Sequence, residues 1–163
     1  MADDITCEGE LPVSHESVLM ATVRSMLVGY EYRYLLMDPN TLWVYVRNEA
    51  GLYGLCFFTN DDAQLVRLVG SYGSHVPDAR RVAVAELLSR INVRLGFGNF
   101  ELDFDDGEVR FRLGEDVEGG WLSEGVVDRM MGYTLITLDR YHQAVMTVAF
   151  GMAEPVVALA AVA

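Results

Sequence analysis

Eight of the chain's twenty-four carboxylates fall in Gly98–Gly120, "GNFELDFDDGEVRFRLGEDVEGG". Acids at that density could ligate a divalent cation, share a proton in acid–base chemistry, or line the wet side of a hairpin. A calcium loop needs oxygen ligands converging from alternate positions around an invariant glycine. With Gly107 in that place, two ligands would fall on Leu102 and Phe104, and the closing bidentate acid would fall on Leu113. The acids instead alternate with apolar residues, as along a strand. Asp106-Gly107 is a signal for a two-residue turn. That turn predicts Phe104 opposite Val109, Leu102 opposite Phe111 and Phe100 opposite Leu113 on the core side. On the other side Asp103 would meet Arg110 and Glu101 would meet Arg112, with Asp105–Glu108 a like-charge pair beside the turn. The hairpin explains the cluster without a ligand.

The remaining reactive residues are scattered. His15, His75 and His142 lack metal-ligand spacing, and "GSYGSH" is not a nucleophile elbow. There is no phosphate loop, and "GFGNF" lacks the third glycine of a dinucleotide fingerprint. Asp139 and His142 in "DRYH" share one helical turn and could tune a proton, although a packing contact is the plainer reading. Cys7 and Cys56 are far apart, and Cys56 in "GLCFFT" reads as a small buried hydrophobe. No nucleophile, base and orienting group come together, so no catalytic residue, cofactor or metal is assigned.

The elements that would carry these residues follow from periodicity. Ser14 is a fair cap for a helix over 14–28, with Val18, Leu19, Val23, Met26 and Leu27 inward and Gly29 as its stop. Runs at 30–37, 41–48 and 52–59, separated by short turns, predict an antiparallel meander. A fourth run at 64–73 is weaker because Gly70 and Gly73 interrupt it. Pro77-Asp78 opens a helix to about Leu95, with Val82, Ala85, Leu88, Ile91, Asn92 and Leu95 inward. Arg80, Arg81, Arg90 and Arg94 form its solvated face, and Glu86 precedes Arg90 in the favourable order. After the hairpin, Ser123 caps a long helix to about Phe150, with Gly151 beyond it. Its apolar stripe is too wide for one sheet face, so the helix is either deep in the core or against another subunit. Val127, Met131, Leu135, Leu138, Val145 and Met146 are the candidate dimer or partner interface.

These elements make one α+β domain of order α-β-β-β-(β)-α-β-β-α over 14–152, after an acidic flexible N-terminus at 1–13. The apolar tail at 153–163 is either disordered or a short helix, and Glu154-Pro155 breaks it too early for a membrane span. All twelve basic residues are Arg, and the net charge is −12. Such a chain repels phosphate backbones and anionic membranes, which argues against direct nucleic-acid binding; the charge serves solubility in a salty cytoplasm or favours a basic partner such as a nucleic-acid-binding protein. The acidic start "MADDITCEGE" is unlike a signal peptide, so the expected location is the cytoplasm.

The stretch from "RRVAVAELLSRINVRLGFGNFELDFDDGEVRFR" through "DVEGGWLSEGVVDRMM" to "DRYHQAVMTVAFG" resembles the YbjN family, labelled as bacterial sensory-transduction regulators. The recognisable positions are Leu88 to Asn92, Gly98 with Phe100, Asp103 with Asp106-Gly107 and Val109. Arg112, Asp116, Glu118, Leu122, and Asp139 with Tyr141 complete them, and the match covers roughly 15–152. The resemblance implies a fold like the class-I type III secretion chaperones and a small, often dimeric, protein-binding module. It carries over no catalytic residue. A non-enzymatic adaptor working as a homodimer is therefore the first expectation. A small-molecule sensor with a pocket near Trp43, Tyr45 or Trp121 is the alternative.

Overall fold

The computed structural model describes residues 17–117, 119 and 121–162. The expected cap at Ser14, the residues Cys7, His15 and Glu118, and the N-terminal segment 1–13 lie outside them. The elements are α1 (Val18–Gly29), β1 (Tyr34–Asp38), β2 (Thr41–Arg47), β3 (Leu52–Asn60), β4 (Leu65–His75), α2 (Arg81–Asn92), β5 (Asn99–Leu102), β6 (Glu108–Asp116), α3 (Glu124–Ala149) and α4 (Pro155–Ala160). A 3-10 turn at Asp78–Arg80 leads into α2. The six strands form one antiparallel sheet, order β1-β2-β3-β4-β6-β5. Buried residues of the sheet and all four helices share one cluster.

Helix α1 is held at both ends by side chains and backbone that periodicity alone does not reveal. Ser17 accepts from the Met20 amide at 3.2 Å. Asp61, on the β3–β4 turn, takes Ser17 Oγ at 2.6 Å and the Val18 amide at 2.8 Å. A long-range carboxylate thus completes the N-terminal cap. At the other end Gly29 is still helical, and the left-handed residue is Glu31, φ 58°. Tyr32 N–H reaches Leu27 C=O at 2.9 Å in a Schellman closure, so β1 starts at Tyr34 rather than 30.

Strand β4, the weakest in periodicity, is the longest and lies between β3 and β6. Gly70 interrupts the pattern because α3 packs directly over it. A Cβ there would lie 2.7 Å from Leu138 and 2.8 Å from Thr134, so the missing side chain lets α3 press on the sheet. Gly73, at φ +69°, sits where the β4–β6 register shifts between Ser71 and His75.

The hairpin differs from its expected register by two residues. Phe100 pairs with Phe111, Glu101 with Arg110 and Leu102 with Val109. The turn is not the two-residue Asp106-Gly107 type but a four-residue loop, Phe104 to Gly107. Gly107 N–H donates to Asp103 C=O at 2.8 Å, and Asp103 N–H donates to Glu108 C=O at 2.9 Å. Asp103 Oδ1 accepts from the Asp105 amide, and Asp106 Oδ1 from the Glu108 amide. Gly107 has φ +84°, and its carbonyl accepts from Val76 N–H at 2.8 Å, where any Cβ would collide. The even shift keeps each strand residue on its expected face. Phe104, expected in the core, is in the loop and 55% exposed.

Helix α2 also departs from expectation. Its buried face is Val84, Leu87, Leu88 and Ile91, while Val82 is exposed. Arg80 and Arg81 are not on a solvated face. Arg80 Nε donates to Val148 C=O at 2.9 Å, at the end of α3, and its Nη2 to Ala153 C=O in the link to α4. Arg81 donates to Phe104 C=O at 2.6 Å and pairs with Asp78, clamping the hairpin loop to the start of α2. Asn92 exchanges two hydrogen bonds with the Phe100 backbone, tying the end of α2 to β5.

Helix α3 is capped by Ser123 and closes through Gly151, φ +73°, with Met152 N–H on Thr147 C=O at 2.9 Å. The tail forms α4, with Pro155 at its first turn and Ala158 and Leu159 buried against α2 and α3.

Candidate functional site

The six residues expected at an interface on α3 are in the chain's own interior. Val127, Leu138 and Val145 have no exposed surface, Met131 and Leu135 are buried, and Met146 is half-buried near Ser74. The wide stripe needs no second subunit, because α1, α2, α4 and the sheet all contact it. Of the two explanations for its width, depth in the core is the one observed.

Asp139 and His142 also have a structural explanation. Asp139 accepts Tyr53 Oη at 2.5 Å on one oxygen and Asn48 Nδ2 at 2.8 Å on the other. His142 Nδ1 lies 3.2 Å from the same phenol. Burial and then the Asp139 carboxylate push the Tyr53 phenol well above its ordinary value. Burial lowers the His142 imidazole, against the pull of Asp139. The group fastens the β2–β3 turn to α3 and has no free nucleophile. Among the described residues no three His, Cys, Asp or Glu are grouped to hold a metal, and no helix is long and apolar enough to cross a membrane.

The unexplained surface is the outer face of the sheet. Strand residues of one parity (Leu42, Val44, Leu55, Phe57, Leu68 and Phe111) point into the main core. The other parity makes a grid. One row runs Leu35, Trp43, Cys56, Val69, Arg112, Asn99 across all six strands. A second row runs Thr41, Phe58, Arg67, Gly114, and a third Tyr45, Gly54, Ser71, Arg110, Glu101.

Large residues stand at the sides of this grid and small ones in its middle. Trp43 and Tyr45 stack with centroids 6.1 Å apart. Gly54 makes room for them, since a Cβ would lie 3.2 Å from Trp43. The Arg67 guanidinium lies 4.8 Å over the Phe58 ring. Cys56 is buried between them and outside the main core cluster. Burial first, then the Asp38 charge, pushes its thiol up to about 12, which disfavours the thiolate. The result is a cleft of about 290 Å³ with aromatic residues on one wall and Arg67, Arg110 and Arg112 on the other.

The hairpin acids lie on this face. Arg112 Nη2 pairs with Glu101 at 2.8 Å. Arg110 pairs with Glu108 at 2.5 Å and approaches Asp103 at 3.6 Å. Arg112–Glu101 and Arg110–Asp103 are diagonal across the strands, since Glu101 lies directly opposite Arg110, whereas Arg110–Glu108 runs along β6. Trp121, the third aromatic suspected of lining a pocket, is 83% exposed in the loop before α3. The signal for the outer face was present in "TLWVYVR" and "LYGLCFFT", where both parities are apolar.

Helices on one side of a six-stranded antiparallel sheet define an α+β fold of the secretion-chaperone type. Among solved structures, a chain described as "Structure of the HopA1-SchA Chaperone-Effector Complex" superposes with TM-score 0.51 at 16% identity, over 73% of this chain and 88% of that one. At that identity the likeness is one of fold. Residues 21–146 match the model of the YbjN family, described as "Putative bacterial sensory transduction regulator", and the chain belongs to that family. No curated protein matches.

Proposed function

We propose that the chain is a non-catalytic, protein-binding adaptor whose client lies across the outer face of the sheet. The carrying observation is the row of Leu35, Trp43 and Val69 beside Tyr45 and Phe58, which no helix among the described residues covers. Apolar patches of a few hundred Å² on a folded surface commonly mark contact sites. Asp38, Asp61, Asp62, Glu115 and Asp116 fall at one end of the same strands. With the net charge of −12 they favour a client that is basic overall, such as a nucleic-acid-binding protein.

The working form is proposed to be a homodimer. With α3 occupied internally, edge strand β5 and its neighbour α2 are the better contact. Val82, Val93 and Phe104 are exposed beside them, around a groove lined by Ala85, Leu88 and Asn92. A two-fold contact would use this edge on both copies. Like charge opposes it, so association should tighten as salt screens the repulsion, whereas a basic client should bind more weakly. The test is light scattering across a salt series for wild type and Val93→Asp, paired with affinity capture from the protein's own cells. A wild-type monomer at every salt concentration removes the dimer. A capture that returns no protein partner removes the adaptor and favours the small-molecule reading.

A further inference from the structure

The cleft on the outer face is chemically lopsided. Its one acid, Glu108, is already engaged by Arg110 from two nitrogens, at 2.6 and 2.5 Å. Arg112 uses Nη2 for Glu101, but its Nε is buried with no partner. A buried guanidinium N–H without an acceptor is costly and rare, so an acceptor that reached Arg112 through a small shift of its neighbours would be held there, beside the exposed end of the same guanidinium. The Arg67 guanidinium carbon lies 4.8 Å from the centre of the Phe58 ring, a contact with the π face that takes up no N–H acceptor. The two arginines line the cleft from β4 and β6, and Gly114, opposite Arg67, has open space above it.

Size and charge narrow the ligand. At about 290 Å³ the cleft is at the lower limit for an enclosed small molecule but suits one amino-acid-sized anchor. A dianionic phosphate would meet the repulsion of a chain with net charge −12, whereas a single carboxylate needs only the two donors present. The opposite wall, Trp43 and Phe58, is apolar and adjacent.

Building on the proposed client-binding role of this face, we propose that the cleft seats an acidic–apolar anchor of the bound segment. A carboxylate lies between Arg67 and Arg112, and the neighbouring apolar side chain lies against Trp43. The chain's overall field then selects a basic client, and the cleft selects the place on it that docks.

The test uses the full chain labelled with nitrogen-15 and two capped dipeptides, acetyl-Phe-Asp-amide and acetyl-Phe-Asn-amide, at physiological salt. The Asp peptide should move the Arg67 and Arg112 Nε–H signals and the Trp43 indole signal together. The Asn peptide, and Arg67→Gln protein with either peptide, should bind roughly tenfold more weakly or worse, as expected for loss of a charge-assisted bond. Equal binding of both peptides, no shift with either, or shifts matched by acetate alone overturns the anchor. A client that needs Trp43 but binds Arg67→Gln normally also overturns it while leaving the client-binding role intact. Peptide shifts as expected, with a client indifferent to both residues, support the anchor site and overturn the role.

Discussion

The two faces of the sheet are built from the same alternating strands and solve opposite problems. Inward, Leu42, Leu55, Phe57, Leu68 and Phe111 have no solvent contact and belong to the one core cluster that the helices share. Outward, among the described residues, Trp43, Tyr45 and Phe58 meet their sheet neighbours, with arginines taking the place of a second layer. One face is determined by packing and tolerates little change. The other is held by its strands, so its side chains are free to serve binding. Mutations should therefore divide by parity along a strand, costing stability on one side and binding on the other.

The sharpest test of that division is Leu138→Ala at the helix–sheet contact, which should cost about 2–5 kcal/mol in denaturant unfolding. A loss under 1 kcal/mol, roughly a surface value, would mean the inner face is not close-packed. Gly70→Ala probes the same contact by overfilling it, since the new methyl would meet Leu138, Thr134 and Leu55. About 1–3 kcal/mol of destabilisation is expected.

Asp61→Ala tests the junction between the layers. It should cost about 0.5–2 kcal/mol, as loss of a helix cap does. Burial pushes the Asp61 carboxyl up, but bonds from Ser17, Val18 and Leu19 outweigh this and hold it below its ordinary value. Because the folded value is depressed, the contribution is complete above the unfolded value and is lost as pH falls through the folded one. Wild-type stability should therefore decline in acid more steeply than that of Asp61→Ala. Parallel curves would remove Asp61 as the cap. On the outer face, Tyr45→Ser should change stability by no more than about 0.5 kcal/mol, the usual range for a surface site.

Much of this was legible in the sequence, and the errors have specific causes. Element order followed from periodicity and breakers, because the helices and most strands have unambiguous patterns. The faces of the hairpin followed from alternation, which survives an even slip. Its register did not, because the loop is set by Val76 and Arg81, which are distant from the turn in the chain. Gly70 looked like a strand breaker because the helix that fills its place is more than sixty residues away. The breadth of the α3 stripe was real. Its partner was the chain's own α1, α2 and α4, the last formed by the tail that composition left undecided. The outer face was partly visible as Trp43 and Tyr45, but the cleft arises from register. Only pairing brings Cys56, Val69 and Arg112 into one row.

The central claim is that the outer face is where another protein binds. Its most direct test is parallel affinity capture by wild type, Trp43→Ser/Tyr45→Ser, and Ile136→Asp, which alters an exposed position on the helix side. Each captured protein is quantified against the bait. The account predicts one partner in fixed ratio with wild type and Ile136→Asp, and its loss with the Trp43/Tyr45 variant while that variant remains folded. A partner retained by the Trp43/Tyr45 variant and lost by Ile136→Asp would contradict it.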